Sequence, residues 1–540
     1  MISNLIQSSK NLGYSDIYLD FLAGSDPARS FFEACSLAAV ADRLDSLSFD
    51  RNGAAAILTR QNRSYDAAPR TFETIERLKD PRAVCVFAGQ QAGFLGGPLL
   101  TLYKAIAIVK SAEFYSVKLD RPVIPIFWIA GDDHDFQEAN HTFLLDRQGQ
   151  VVRVAYESEP DHEWPMARVK FTDKTELDRA KTQLRETLGE TDFTPALYDL
   201  VDRAYTENDT LVTGFAKFMA NLTGDLGLPL FNPGDAEAKR LAIPFFRQMI
   251  DVQSKLRSTI DQRNTQISGS GYHIQVEKKE NAAHLFYDID GRKPIMREGD
   301  SFTVGDLNLT REELMARVEQ EPERFSPDVL TRPVLQTFLF PTAYQRGGPS
   351  EIAYFAQMNP IFGLFDLPAP FCSARPTLTL LEKRFEKLMA DEDITLEELT
   401  GDIEQVVNKV LAGTFPGDLE DSFHRFRRHL RAHFEDFAET SLGFDPALKS
   451  FAEHTSGKID FNLKAFEGKV FASHKKKSQE LRDRVYRLSN AVCPDRVLQE
   501  RMLNITYFVS RYGYDVVKFI YDNMDREEKA HQVLSLSEMK

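Results

Sequence analysis

A burst of acid and imidazole, Gly131-Asp132-Asp133-His134-Asp135 with Glu138 and His141 just beyond, holds residue types that can bind a metal, accept a proton or orient an amine. His134 to Glu138 and Glu138 to His141 suit a helical turn, but the segment is not HExxH. Aspartates also serve as helix N-caps, so an acidic helix start is the plain alternative. Asp133, His134 and Asp135 are the candidate catalytic groups, Glu138 is a candidate substrate contact, and no metal is expected. A glycine-rich stretch, Gly89-Gln90-Gln91-Ala92-Gly93-Phe94-Leu95-Gly96-Gly97-Pro98, puts flexible backbone just before a helix, where free N–H groups and the helix dipole favour an anion. It is neither a Walker loop nor GxGxxG, and a tight strand-to-helix turn would need the same glycines. Gly89, Gln90, Gln91 and Gly93 are candidate substrate contacts, as are Lys104 two turns into the helix and Trp128 before the acids. Lys104 would face a phosphate, the acid cluster or solvent. A second stretch, Tyr344-Gln345-Arg346-Gly347-Gly348-Pro349-Ser350-Glu351, also precedes a helix, and Arg332 lies upstream. Arginine beside a glycine loop is a natural carboxylate or phosphate ligand, so Arg332, Gly347, Gly348 and Glu351 join the candidates. Glu351 could equally cap its helix.

These residues need a frame that brings them together. Ala83 to Ala88 and Val123 to Ala130 are short apolar runs of the kind buried in a parallel sheet, and Leu99 to Lys110 between them has helical spacing. Polar clusters at the carboxyl ends of parallel strands are where open α/β sheets bind ligands. The apolar run Val334 to Phe340 reads as a third core strand and Leu226 to Phe231 as a further one. Residues 1–80 read as helical. Val151 to Tyr156 and Ala167 to Phe171 read as strands, Glu176 to Leu188 and Ala196 to Thr223 as helices, and Tyr272 to Val276 as a short strand.

From Thr377 the texture changes to long charged helices. Phe423, Phe426, Leu430, Phe434 and Phe437 recur at steps of three or four, as do Ile459, Leu463, Phe466 and Val470, which is the seam of a coiled coil. The aromatics Tyr507, Phe508, Tyr512 and Tyr514 suit a C-terminal segment that docks back on the core. The expected layout is a core over 1–376 with insertions at about 150–225 and 265–330, a coiled coil over 377–490, and a returning segment over 491–540.

Bulk composition narrows the class. The 540 residues exceed one compact core, and 42% hydrophobic residues with 11% aromatics are globular. A net charge of −15 argues against general nucleic-acid binding. No apolar run approaches the roughly 20 residues of a membrane span, and the N-terminus has no secretory pattern. Cys35, Cys85, Cys372 and Cys493 are scattered without a CxxC pair, which fits a reduced cytoplasmic protein.

The motifs taken together resemble the BshC family of bacillithiol biosynthesis. The resemblance is carried by Gly89 to Pro98, Tyr103-Lys104-Ala105-Ile106, Phe127 to Phe136, Gly271-Tyr272, Leu330 to Pro333, Gly347 to Tyr354, Leu498-Gln499-Glu500-Arg501 and Arg511-Tyr512-Gly513. It departs where Asp132-Asp133 replaces the family's usual Glu-Asp, and where Thr331 adds a residue to a Leu-Arg-Pro element. The resemblance implies an α/β, Rossmann-like core related to nucleotidyl-transferases and a coiled coil that forms a homodimer. It also implies a ligase that joins L-cysteine to the amine of glucosaminyl malate through an activated carboxylate, with ATP or another nucleotide as the suspected cosubstrate. The residues alone leave two rivals open: a metal-dependent hydrolase centred on Asp132 to Asp135, and a non-catalytic coiled-coil scaffold.

Overall fold

The computed structural model describes residues 2–3, 14–32, 36–413, 417–527 and 529–539. Cys35 and the middle of the turn around Gly413 to Gly417 lie outside the described residues. The chain forms two compact units, one of Met1–Lys383 with Val497–Lys540, the other Arg384–Arg496.

The larger unit is built on five parallel strands: β1 (Val84–Gln90), β2 (Val123–Ile129), β3 (Leu230–Phe231), β4 (Thr342–Gly347) and β5 (Phe371–Ala374). Their spatial order is β3-β2-β1-β4-β5. β1 and β2 are buried on both faces, which is why each is a continuous apolar run and not an alternating one. They pair over seven residues, from Val84 opposite Val123 to Gln90 opposite Ile129. A Cβ on Gly89 would stand 2.9 Å from the Trp128 carbonyl oxygen, so only glycine fits this close strand approach. Helix α1 (Leu99–Lys118) links the two strands and packs on both. Phenylalanine fills the core between sheet and flanking segments: Phe87 meets Phe340 at 5.4 Å between ring centroids, and Phe340 meets Phe231 edge-on at 4.9 Å.

The third core strand is not where the apolar run placed it. Val334 to Phe340 lies mostly in helix α2 (Arg332–Leu339), and the strand is the following Thr342–Gly347. A mostly apolar run of seven residues fits either element, and Pro333 in the first helical turn is the deciding local signal. Helix α3 (Pro349–Met358) follows β4. Ala167 to Phe171 forms no strand, only an isolated bridge from Lys170 to Thr210. Tyr272 to Val276 is irregular, and Ala196 to Thr223 breaks into Thr194–Ala204 and Leu211–Leu222.

Two long excursions leave the sheet. Between β2 and β3 the chain makes the hairpin His141–Leu145 with Val151–Ala155 and then three helices. Between β3 and α2 it builds a five-stranded antiparallel sheet, in which Ala282–Ile289 pairs with both Gly291–Glu298 and Phe325–Pro327. The C-terminus returns to this unit: His531–Ser535 pairs parallel with Leu378–Leu381, and the Leu503 carbonyl accepts the Leu99 N–H at 2.8 Å.

In the smaller unit, helices Gly417–Phe444 and Lys449–Lys477 pair, with Phe423 against Phe466 at 5.7 Å and Arg427 bonded to Glu467 at 2.5 Å. The expected seam divides. Phe423, Leu430 and Phe434 are half-buried, whereas Phe426 and Phe437 are 55% and 68% exposed.

Candidate active site

Strand order 3-2-1-4-5 means that the chain reverses its direction of growth between β1 and β4. The crevice beyond their carboxyl ends is the switch point where open α/β sheets bind ligands. A cavity of about 680 Å³ opens there. It is lined by both glycine stretches, by the Asp-Asp-His segment, by the inserted sheet and by the C-terminal return.

Lys104 sits at the floor. Its ammonium donates to the Gly89 carbonyl and to Gln90 Oε1, each at 2.8 Å, and pairs with Glu351. Those three partners match the three protons of the ammonium, so it straps β1 to the start of α3 and does not reach a phosphate. Burial lowers the Lys104 pKa and the Glu351 carboxylate opposes that shift. Glu351 also accepts the Gly348 N–H at 2.7 Å, which is the capping role.

The first glycine loop is less open than expected. Ala92 to Gly97 is buried, with Gly96 against Phe218 and with Gly97 at φ +68° beside Gly93. Asn504 donates to the Leu95 and Gly97 carbonyls at 2.9 and 2.5 Å. With the Leu99 N–H already taken by Leu503, the start of α1 is not a free anion cradle. Only Gly89, Gln90, Gln91, Pro98 and Leu100 of this region face the cavity.

The three aspartates diverge. Asp132 bonds Lys239 at 2.7 Å, deep in the inserted region. Asp133 accepts its neighbour's N–H from His134 at 2.8 Å on Oδ1 and the Gln91 amide at 2.5 Å on Oδ2. Gln91 also reaches Glu138 at 2.9 Å. Asp135 is exposed and accepts the Glu138 N–H at 3.0 Å as the N-cap of Phe136–Ala139, so it does not line the cavity. A hydrolase metal centre on this segment would need the carboxylates to converge, and they do not. Among the described residues no three His, Cys, Asp or Glu side chains form a metal-holding group.

The inserted sheet supplies the opposite wall. Arg292 is buried, its Cζ lies 3.6 Å from the Phe286 ring centroid, and it donates to Ser326 Oγ at 3.0 Å and the Pro327 carbonyl at 2.8 Å. Burial lowers its pKa against the pull of Asp132, Asp133, Asp288 and Asp328. Asp328 pairs with His284 at 2.8 Å and accepts the Leu330 and Thr331 N–H groups at 3.0 Å each. Burial pushes its pKa up, but these partners hold it below the usual carboxylate range. Thr331, the added residue, is fully buried and donates its hydroxyl to the His284 carbonyl at 2.9 Å.

Two guanidinium groups face the cavity without a carboxylate partner among the described residues. Arg332 has only neutral partners, Gln336 at 3.3 Å and Tyr354 at 3.4 Å, and lies 5.7 Å from the Trp128 ring centroid. Arg501 lies 5.7 Å from the Tyr14 ring centroid. Arg375, next to them, is committed to Glu500 at 2.7 Å in a pair that is 2% and 0% exposed.

The cavity therefore brings together Gly89, Gln90, Gln91, Lys104, Trp128, Asp133, His134, Glu138, Arg332, Gly348 and Glu351. It leaves out Asp135, Gly93 inside the buried turn, and Gly347, whose Cβ would clash with Phe355 at 2.7 Å. Arg346 is buried away from it, bonded to Ser111 and the Ala374 carbonyl. Sequence reading missed Lys278, Phe286, Arg292, Asp328, Tyr354 and Arg375 as cavity residues. Arg501 ended a recognised motif but carried no role.

Comparison with known proteins agrees with this architecture. Residues 1–376 match the family model for the BshC N-terminal Rossmann-like domain, and residues 378–536 match the BshC C-terminal coiled-coil domain. Relatives provisionally named cysteine ligase BshC include one from Koribacter versatilis, 30% identical with 94% of each chain covered. Another, from Geobacillus kaustophilus, is 31% identical over 92% of this chain and 94% of its own. A third, from Salinibacter ruber, is 29% identical over 97% and 96%. The chain belongs to the BshC family of bacillithiol biosynthesis.

Proposed function

We propose that this chain is a ligase that forms the amide between the carboxyl group of L-cysteine and the amine of glucosaminyl malate. The observation that carries the reading is that Arg332 and Arg501, with no carboxylate of their own, share one cavity with Asp133 and His134. Both substrates carry carboxylates, which uncommitted guanidinium groups bind through charge-assisted hydrogen bonds. The amine must lose a proton as it attacks, and Asp133 and His134 are the proton-handling groups within the same walls. Gln91, fixed between Asp133 and Glu138, orients that edge of the site. The relatives named as cysteine ligases support the reading.

A carboxylate is a poor acyl donor, so an activating cosubstrate is part of the proposal. ATP, when bound, would convert the cysteine carboxylate into an acyl donor. Arg332, Arg501 and the first turn of α3 at Ser350 are the cavity groups suited to its anionic part. The same reading places the enzyme in the cytoplasm as a homodimer through the hairpin 417–477, whose outward Phe444, Phe451 and Phe461 are 92%, 72% and 72% exposed.

Mass spectrometry of purified protein with glucosaminyl malate, L-cysteine and ATP, with and without cell extract, tests this. Bacillithiol is expected, with AMP or ADP naming the activation route. Product only with extract means that a cosubstrate or partner is missing. No product under either condition overturns the reading. Full transfer by both Asp133→Asn and His134→Ala would overturn the proton-handling role.

A further inference from the structure

His134 has an unusual neighbour for a proton-handling imidazole. Its Nδ1 lies 3.4 Å from Arg292 Nη1 and 3.7 Å from Asp133 Oδ1. Asp133 Oδ1 already accepts the His134 backbone N–H at 2.8 Å, and Oδ2 takes the Gln91 amide. The guanidinium is therefore the nearer partner of Nδ1, and it is held rigidly. Its Nε and Nη2 are bonded to Ser326 and the Pro327 carbonyl, and its plane rests on Phe286. A guanidinium has donors only and stays protonated, so a ring nitrogen facing it must offer a lone pair. In a neutral imidazole the proton then sits on the other nitrogen. Nε2 has no hydrogen-bond partner among the described residues, and His134 lines the cavity.

We infer that Arg292 is a positioning residue that fixes the His134 tautomer, with Nδ1 as acceptor and the ring proton on Nε2, so that His134 enters the reaction as a hydrogen-bond donor and not as the base. The consequence for catalysis rests on the ligase reading; the protonation state does not. In the amide-forming step the amine nitrogen bonds to the carbonyl carbon, the carbonyl π pair moves onto oxygen, and that oxyanion accepts the Nε2–H bond. The proton leaving the amine goes to the Asp133 carboxylate, the remaining acceptor on the same loop. Collapse of the oxyanion then expels the activating group with its bonding electron pair.

Charged groups surround the pair: Asp132, Asp133 and Glu138 lie on the segment of His134, and Asp132, Asp133, Asp288 and Asp328 act on Arg292.

The test is nitrogen NMR of the full chain carrying labelled histidine, without substrates, with the His134 signals assigned by their loss in His134→Gln. At pH 8 the wild type should show the His134 ring proton on Nε2. Arg292→Gln should mix the two tautomers, and Arg292→Lys should restore part of the wild-type state. A proton on Nδ1 at pH 8 in the wild type overturns the inference, even if the variants fail to fold. An unchanged tautomer in a folded Arg292→Gln also overturns it. Because no substrate is present, failure of the ligase reading leaves this result intact.

Discussion

The two walls of the cavity handle buried charge in opposite ways. On the sheet wall Lys104 meets as many acceptors as it has protons, and its one charge is balanced by Glu351. On the inserted wall Arg292 is surrounded by four aspartates, and one of them, Asp288, has its pKa raised to about 6 by burial although Arg168 and Lys239 oppose the shift. Asp288 Oδ1 has no hydrogen-bond partner among the described residues. A saturated cluster is rigid and expensive to break, while an unsaturated one is left responsive to protons. The first wall holds the switch point in register, and the second keeps an incompletely paired carboxylate, Asp288, beside its buried arginine.

The contrast can be broken most forcefully at Lys104. Lys104→Met leaves Glu351 without its cation and strips a donor from Gly89 and Gln90. Denaturant unfolding should show a loss of about 3–5 kcal/mol. A loss below about 1 kcal/mol would mean that the sheet wall is not locked. The inserted wall is tested by pH. An acid with a raised pKa in the folded state binds its proton more tightly there than when unfolded. Asp288 therefore makes stability fall as pH rises from about 4 to about 6, with no further change above. The size is on the order of 3 kcal/mol. The stability difference between wild type and Asp288→Asn should move in favour of the variant across that window and stay constant above pH 7. A difference independent of pH would place Asp288 in an ordinary environment. The smallest effect separates the two glycine loops. Gly97, at φ +68°, should cost about 1–2 kcal/mol on replacement by alanine. Gly348, at φ −79°, should change stability by less than about 0.5 kcal/mol, measured by thermal unfolding. Equal losses would put both loops in the same structural role.

The sheet wall was legible in the sequence, whereas the inserted wall showed its strand around His284 to Asp288 but not its buried Arg292, for a physical reason. β1 and β2 are buried on both faces, so they appear as unbroken apolar runs ending in polar bursts, and their crevice could be located from those endings. The resemblance to the BshC family, carried by specific motifs, extended that reading over the whole chain and agreed with the family models. Arg292 follows Asp288-Ile289-Asp290-Gly291 at a hairpin turn, where an arginine has no local mark distinguishing a buried one from a solvated one. Val334 to Phe340 misled because apolar runs of that length do not distinguish strand from helix. The aspartates were correctly seen as a cluster in sequence, but neighbours along the chain point in different directions, and only three-dimensional partners show that Asp132 turns to Lys239 while Asp135 caps a helix.

The C-terminal return has a consequence for how the molecule is made. Asn504 closes on Leu95 and Gly97 across separations of 409 and 407 residues, and Arg501 reaches the cavity by the same turn of chain. Contacts so remote in sequence form late, because a large loop must close before they give anything back. On the ribosome the first residues of the crevice would emerge long before the last. A nascent or truncated chain can assemble the parallel strands and still have no finished pocket. Activity would then appear only after residues 501–504 have been made and this long loop has closed.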